Sequence, residues 1–273
     1  MSALPIGVFD SGVGGLTVLK ALQAVLPNES FVYLGDTARL PYGTKSPETV
    51  ARYALQASDA LMAHTPIKAL VVACNTASAL AYDALVEHHQ DLLVIDVVRP
   101  GAQAAVDRSV NGDIAVIATE ATVRAEGYQK AIKALNPNAQ VHAHSASVLV
   151  ALAEEGWCDN DVAVAAVEHY LRPLLEEDAA FKPDCLLLGC THFPVLLPAI
   201  EMVINESIHI VDSATATAMS VARQLAEANL LCANGVSKTD FLVTDSPARF
   251  ARVAKQFLGV TLSESDVQTC HLG

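Results

Sequence analysis

The feature that most constrains this chain is an apolar run that ends on a cysteine and turns directly into an alanine-rich segment. Residues Ala69 to Ala73 are all apolar, which is typical of a strand buried on both faces of a parallel sheet. Cys74 follows, and Asn75 and Thr76 are expected to cap the next helix. Ligands of open α/β sheets bind at the carboxyl ends of strands, and a helix N-terminus favours an anion. We therefore expect a reactive Cys74, with a pKa lowered from the ordinary value of about 8.5.

A second stretch of the chain repeats this pattern. The apolar run from Cys185 to Gly189 is followed by Cys190 and then by the polar residues Thr191 and His192. Pro194 fits the first turn of a following helix, where its missing N–H has no cost. Two strand–cysteine–helix turns in one chain favour a joint explanation.

Strands and helices are predicted to alternate along the whole chain, which indicates an α/β fold with parallel sheets. The two halves open similarly, with Asp10 ending one strand and Thr119 following another, and a cysteine turn comes later in each half. This repeat predicts two similar domains that face each other across a cleft. Helices are expected near 16–26, 47–64, 123–135, 146–156, 159–178, 213–229 and 247–257, from Asn75 onward, and from the Cys190 turn to about 205. Strands are expected near 5–9, 31–36, 69–73, 91–97, 113–118, 140–144, 184–189, 208–211 and 240–244, with Arg99-Pro100-Gly101 as a crossing between domains.

Composition narrows the class of protein. With 273 residues, 52% of them hydrophobic and 17% charged, the chain can bury a sizeable core. A net charge of -13 argues against a nucleic-acid surface, which needs clustered Lys and Arg. No run approaches the roughly 18 apolar residues of a membrane span, and the first five residues carry no basic region of a signal peptide. The six cysteines form no CxxC pair, so a reducing cytoplasm is the expected location.

Two further segments are candidates for the site. The glycines between Asp10 and Leu16 do not give GxGxxG, so we expect only a tight turn that exposes backbone N–H groups at a helix start. Asp10 is either functional or a helix cap. The loop from Thr37 to Pro47, which contains Pro41-Tyr42-Gly43, has the composition both of active-site loops and of ordinary turns.

Several chemistries could use the two cysteines. A disulfide is possible, a zinc site wants three or four ligands and only Cys74, Cys190 and His192 cluster, and Cys–His hydrolysis needs one nucleophile rather than two. A phosphatase would need an arginine in the loop after Cys74, and residues 75–80 contain none. Racemisation uses both thiols, because one base removes a proton from one face of a carbon and an acid returns it on the other, with the sulfurs about 7 Å apart. Inert burial is the alternative for this pair, and it is expected for Cys158, Cys185, Cys232 and Cys270.

These motifs carry a resemblance to a known family. Residues 9–16 (FDSGVGGL), 41–43 (PYG), 73–77 (ACNTA) and 189–194 (GCTHFP) are similar to segments of the aspartate/glutamate racemase family. Within it they resemble glutamate racemases, cofactor-independent enzymes that make D-glutamate for bacterial peptidoglycan. Residues 212–213 and 243–247 resemble the closing segments of these enzymes, so the match runs nearly end to end.

The resemblance implies a division of the chain and a set of roles. It implies a first domain of residues 1–97 plus 209–273, a second of residues 98–208, no cofactor or metal in the site, a small-molecule substrate and a homodimer. Cys74 and Cys190 would be the acid and base, with Asp10 supporting Cys74 and His192 supporting Cys190, and Glu154 resembles a family glutamate near the second cysteine. Substrate contacts would come from Asp10, Ser11, Pro41, Tyr42, Gly43, Asn75, Thr76, Thr119, Thr122, Thr191 and His192.

Other functions remain open at the level of sequence. A related racemase, such as one acting on aspartate, would keep both cysteines and change the pocket. A two-lobed amino-acid binding protein is usually exported, which the missing signal peptide disfavours, and a regulator of another protein is a third class. Some family members depend on a peptidoglycan precursor through an N-terminal extension. Because the first strand starts near residue 5, we expect activity without that activator.

Overall fold

The computed structural model of the protein describes residues 3–176 and 180–272. Within these residues the chain forms ten strands that belong to two separate sheets. The strands are β1 Ile6–Asp10, β2 Phe31–Gly35, β3 Ala69–Val72, β4 Leu93–Asp96, β5 Asp113–Ala118, β6 Gln140–Ser145, β7 Cys185–Gly189, β8 His209–Asp212, β9 Thr239–Val243 and β10 Val267–Thr269.

Eleven α-helices occur over the same described residues, and short 3-10 helices cover Tyr42–Thr44, Phe193–Leu196 and Glu264–Asp266. The α-helices are α1 Leu16–Val25, α2 Pro47–His64, α3 Asn75–His88, α4 Val98–Arg108, α5 Glu120–Arg124, α6 Gly127–Leu135, α7 Val148–Glu155, α8 Asp161–Glu176, α9 Leu197–Val203, α10 Ser213–Glu227 and α11 Pro247–Leu258.

Four consecutive strands of the first sheet follow the same order as the four strands of the second sheet, which confirms the predicted repeat. The six-stranded sheet runs β10-β9-β2-β1-β3-β4 and the four-stranded sheet runs β6-β5-β7-β8. Every pair of neighbouring strands is parallel. The order β2-β1-β3-β4 in the first sheet matches β6-β5-β7-β8 in the second. The predicted α/β fold with two pseudo-symmetric parallel sheets is therefore confirmed.

This topology places both cysteines at equivalent points. In each half the second strand lies on one side of the first strand and the third strand lies on its other side. The strand order therefore reverses between β1 and β3, and again between β5 and β7. Ligands of α/β folds bind at such topological switch points. Phe9 pairs with Val72, and Ala118 pairs with Gly189. Cys74 therefore follows the strand beside Asp10, and Cys190 follows the strand beside Thr119.

Burial of the strands explains why these segments fold as they do. The residues of β1, β3, β5 and β7 are buried throughout, as expected when helices cover both faces of a parallel sheet. Helix α10 packs against α1 of the first half and α4 of the second, so that one apolar cluster continues from one half into the other. The two sheets are thus joined by core packing.

Several predicted boundaries shift. The predicted Arg99-Pro100-Gly101 crossing forms the first turn of α4. Proline is compatible with a helix there, because the first turn needs no N–H donor. Helix α4 carries the chain from the first sheet to the second. The segment after Cys190 forms a 3-10 helix before α9, which ends at 203 rather than 205. Helix α8 is described to 176, and its predicted residues 177 and 178 lie outside the described residues.

The point at which the chain returns from the second sheet to the first lies after β8, whereas the predicted domain boundary lies before it. Strand β8, residues 209–212, pairs with β7 in the second sheet, whereas the predicted division at 209 gave it to the first. Strand β9 then pairs with β2, and β10, which was not predicted, pairs with β9. Strands β9 and β10 of the C-terminal segment therefore extend the first sheet. No described helix has the length and hydropathy to cross a membrane.

A buried ion pair between Lys68 and Glu29 holds the residue that precedes β3, and we expect its removal to lower the stability of the fold. Lys68 bonds the Glu29 carboxylate and the carbonyl oxygen of Leu230, and Glu29 also accepts the N–H of Cys232. Glu29→Ala removes the carboxylate that neutralises the buried Lys68 ammonium, so the free energy of unfolding should fall by about 3–5 kcal/mol in urea titrations.

The exposed pair between Lys238 and Asp240 supplies the matched control for Glu29→Ala. Lys238→Ala should change the free energy of unfolding by less than about 1 kcal/mol. Equal effects of the two substitutions would contradict the assignment of Glu29 as a structural anchor.

Candidate active site

A cavity of about 300 Å³ lies where the carboxyl ends of the two sheets face each other. This volume is at the lower end of the range of small-molecule sites. The first half contributes Ser11, Gly12, Leu40, Pro41, Tyr42, Gly43, Thr44, Cys74, Asn75 and Thr76, and the second half contributes Thr119, Ser147, Val150, Ala151, Glu154, Cys190, Thr191 and His192.

A larger groove of about 940 Å³ lies on another face, between α4, α6 and α10. Neither cysteine nor histidine is found among the described residues that line it. The smaller cavity, which holds two thiols and an imidazole, is therefore the candidate site for chemistry.

Cys74 itself, rather than Asn75 or Thr76, caps α3. Its Sγ accepts the backbone N–H of Ala77 at 3.4 Å, and its thiol donates to Oγ of Ser11 at 3.4 Å. Burial, followed by the nearby carboxyl of Asp10, raises the pKa of Cys74 to about 12. The predicted lowering of this pKa is wrong, because desolvation of the thiolate outweighs the helix N-terminus.

Asp10 lies close to Cys74 but does not line the cavity. Its Oδ2 accepts the N–H of Gly12 at 2.9 Å, while its Oδ1 has no hydrogen-bond partner among the described residues. Burial raises the pKa of this carboxyl. A carboxyl with one free, buried oxygen can exchange a proton with a neighbouring group, which is the property that a supporting base for Cys74 requires.

The second cysteine has different neighbours. Sγ of Cys190 lies 3.8 Å from Nδ1 of His192, and Nε2 of His192 lies 3.1 Å from Oε1 of Glu154. Burial alone would lower the pKa of His192, but hydrogen bonds to Cys190 and Glu154 outweigh it and raise this pKa to about 10. His192 is therefore an imidazolium at neutral pH, and it places a positive charge beside the Cys190 sulfur.

Glu154 is held from both sides. Its Oε1 faces His192, and its Oε2 accepts a hydrogen bond of 2.9 Å from Arg249 of α11. Burial raises the pKa of Glu154, but the hydrogen bond to His192 and the charge of Arg249 outweigh it and lower that pKa. Arg249 therefore connects the C-terminal segment of the first half to the Glu154–His192 pair of the second.

A cluster of hydroxyl groups bridges the two halves. The Oγ1 atoms of Thr76 and Thr119 lie 2.9 Å apart, and Thr122 lies 2.9 Å from Thr119 and 3.3 Å from Thr76. Thr76 and Thr119 line the cavity, whereas Thr122 lies outside its wall and contacts both of them. These hydroxyls can donate to a substrate carboxylate without adding charge.

Asn75 is oriented by Tyr128 and Ser213, to which the sequence analysis gave no role in the site. Its Nδ2 donates to the Tyr128 hydroxyl at 2.6 Å and to Oγ of Ser213 at 3.2 Å. Its Oδ1 is buried and has no partner within the described part of the chain. A buried unpaired acceptor beside a cavity suits a ligand that brings a donor, such as an ammonium group.

The 41–43 loop reaches the cavity by close packing. Tyr42 lines the cavity, and its hydroxyl donates to Oδ2 of Asp36 at 2.5 Å. A Cβ placed on Gly43 would lie 2.8 Å from Cβ of Thr119. Glycine therefore permits this loop to contact the opposite half.

Sequence reasoning missed several wall residues. They are Gly12, Leu40, Thr44, Ser147, Val150 and Ala151, and the last three lie with Glu154 at spacings of three and four residues near α7. That spacing places them on one helix face, which was the available signal. All predicted site residues except Asp10 and Thr122 line the cavity.

Comparisons with known proteins agree with this geometry. A model of the Asp/Glu/Hydantoin racemase family matches residues 14–221. A glutamate racemase of Geobacter metallireducens is 47% identical over 95% of this chain and 94% of that protein. The crystal structure of glutamate racemase isoform RacE1 from Bacillus anthracis has a TM-score of 0.90 at 37% identity and covers 98% of this chain and 97% of that chain. A Francisella tularensis glutamate racemase in complex with D-glutamate has a TM-score of 0.89 at 32% identity and covers 100% and 98%.

The chain belongs to the Asp/Glu/hydantoin racemase family. The resemblance identified from the sequence motifs is therefore confirmed. In this member of the family, two parallel sheets flank a cavity lined by the thiols of Cys74 and Cys190. The protein is, more particularly, an amino-acid racemase and thus an isomerase.

We expect Glu154→Gln to lower the pKa of His192, because the substitution removes the carboxylate that stabilises the imidazolium. NMR titration of the His192 ring measures this shift. Glu155→Gln removes an exposed charge one residue along the same helix and is the matched control. In the native protein the imidazolium contributes to stability fully below about pH 6.5, and the contribution is lost as pH rises through about 10. An unchanged titration in Glu154→Gln would refute this account.

We also expect Cys190 to react with iodoacetamide before Cys74 at neutral pH. Both cysteines are 5% exposed, so accessibility does not separate them. Iodoacetamide reacts with thiolates, and the high pKa of Cys74 keeps it a thiol at neutral pH, so Cys74 should be labelled slowly. Mass spectrometry of labelled peptides measures the order. Faster labelling of Cys74 would contradict this order.

Proposed function

We propose that this racemase interconverts L- and D-glutamate by a two-base mechanism in which Cys74 and Cys190 act on opposite faces of the substrate Cα. The observation that carries the proposal is the presence of both thiols, from equivalent turns of two repeated halves, on one small cavity. The resemblance to glutamate racemases, including one in complex with D-glutamate, supports this substrate.

In the proposed reaction one cysteine thiolate removes the Cα proton, and the electron pair is held as a carbanion delocalised into the carboxylate. The opposite cysteine thiol then donates its proton to the other face, and the configuration is inverted. The reverse reaction exchanges the two roles. Two groups of the same chemical type suit this requirement, because each must act as acid in one direction and as base in the other.

The neighbours of the two cysteines support a particular resting state. We infer that Cys74 rests as a thiol, since its pKa is about 12, whereas Cys190 has the His192 imidazolium beside its sulfur. Asp10 would then accept the Cys74 proton when Cys74 becomes the base. His192, with Glu154 behind it, would return a proton to Cys190 after turnover in the other direction.

The cavity also suits a dicarboxylate with one ammonium group. Among the described residues that form its wall there is no lysine or arginine. Hydroxyls of Ser11, Thr76, Thr119 and Thr191 and the backbone N–H groups at the helix starts would hold the carboxylates. The free Oδ1 of Asn75 would accept from the ammonium. The predicted roles of Asp10, Pro41, Tyr42, Gly43 and Thr122 are proposed on the same basis.

We place this reaction in the cytoplasm, where it would supply D-glutamate for peptidoglycan, and it requires no cofactor in the proposed mechanism. Homodimerisation, which the family resemblance implies, stays a prediction. The same holds for activity in the absence of a peptidoglycan precursor.

Exchange of the Cα proton in D₂O tests the mechanism. The native protein should interconvert the enantiomers of glutamate, followed by circular dichroism, and incorporate deuterium at Cα, followed by mass spectrometry. Cys74→Ser and Cys190→Ser should each lose racemisation by at least about 10²-fold, since a serine hydroxyl is a far weaker acid and base than a thiol.

Cys270→Ser, which changes a partly exposed cysteine outside the cavity, is the control and should keep full activity. Parallel assays with aspartate identify the substrate. Binding of glutamate without exchange of the Cα proton would overturn the two-base mechanism. Preferential turnover of aspartate would overturn the substrate assignment alone.

A further inference from the structure

Two histidines and an aspartate converge at the end of α3 that lies opposite Cys74. His88 is the last residue of α3, His89 follows as its C-cap, and Asp59 projects from α2, which packs against α3. None of these residues contributes to the racemase cavity. The cluster therefore needs an explanation of its own.

The distances in this cluster suit a single ion. Nε2 of His88 lies 2.9 Å and Nε2 of His89 lies 3.9 Å from the same Asp59 oxygen, Oδ1. One ligand atom of each residue lies within 4.8 Å of the other two. In a tetrahedral zinc site with bonds of about 2.0–2.1 Å, ligand atoms lie about 3.3 Å apart. Small side-chain rotations would bring the three atoms to that spacing.

We propose that Asp59, His88 and His89 form a binding site for a divalent transition-metal ion of the zinc, cobalt and nickel class. Two imidazoles with one carboxylate favour these ions over Mg²⁺ and Ca²⁺, which prefer oxygen ligands. Each ring binds through Nε2 in the tautomer that carries its proton on Nδ1.

The surroundings of the three ligands define the remaining coordination. The His88 and Asp59 side chains are 45% and 54% exposed, so water reaches the free positions of the ion, whereas His89 is 7% exposed and anchors the site. Ser58 Oγ lies 2.8 Å from Nε2 of His89 and also donates to the carbonyl oxygen of Leu55, so the ion would replace Ser58 as the partner of this ring nitrogen. The site is accessible from solvent and exchanges its ion without any movement of the core.

A bound ion would connect α2 to the C-terminal end of α3. Helix α3 has 14 residues and so extends about 21 Å, with Cys74 at its other end. At that separation the ion contacts no group of the racemase cavity. Its expected effect is on stability rather than on turnover, because a ligand that binds only the folded state stabilises it.

Isothermal titration with Zn²⁺ tests the site. The native protein should bind one ion that His88→Ala and Asp59→Asn each weaken by at least about tenfold. His64→Ala, which removes an exposed histidine from the same helix α2, is the control and should bind like the native protein. Identical titrations of the native protein, His88→Ala and Asp59→Asn would overturn the proposal.

Two further measurements separate this site from the cysteines. Co²⁺ in the proposed site should give d–d absorption without a thiolate charge-transfer band, and this absorption should vanish in His88→Ala. Zn²⁺ should raise the Tm of the native protein and of His64→Ala, but not of His88→Ala. A Co²⁺ spectrum that shows thiolate ligation alone would place the ion at the cysteines and refute the proposal. Racemase activity without metal should be equal in native protein and His88→Ala.

Discussion

The active cavity depends on the close approach of two turns, one from each half of the chain. The Thr17 hydroxyl, at the start of α1, donates to the carbonyl oxygens of Gly14 and Thr191, both at 2.9 Å. A Cβ on Gly14 would lie 2.4 Å from the His192 ring, so only glycine allows this contact. The glycines of the first turn therefore bring the two sheets together, and this contact keeps the two thiols on one cavity.

The acid–base state of the site depends in turn on a chain of charges that crosses the same boundary. Arg249 lies on α11, which packs beside β10 in the C-terminal segment, and it holds the Glu154 carboxylate of the second half. Glu154 holds His192, and His192 contacts Cys190. The segment that completes the first sheet thus also orients the carboxylate that keeps the second sheet's histidine protonated. A change in the angle between the halves would alter this charge chain and the cavity together.

Local patterns in the sequence were sufficient for the strands and for both cysteine turns, because each rests on contiguous apolar residues. They were insufficient where competing effects act. Pro100 and Gly101 read as a loop, yet a proline in the first turn of α4 is compatible with a helix. The pKa of Cys74 was predicted in the wrong direction, since a helix N-terminus contributes at most about 2 kcal/mol while burial of a thiolate costs more. The Tyr128 and Ser213 contacts of Asn75 join residues far apart in sequence, which no local pattern shows.

The repeat explains both the likeness and the difference of the two thiols. Equivalent strand order gives each half one cysteine at a helix start, and this symmetry matches a substrate whose two enantiomers differ only in the face that carries the proton. The neighbours are not repeated: a carboxyl with a free oxygen stands near Cys74, and an imidazolium stands beside Cys190. Backbone topology therefore fixes where the two thiols lie, and the unrepeated side chains Asp10 and His192 give each thiol a different electrostatic environment.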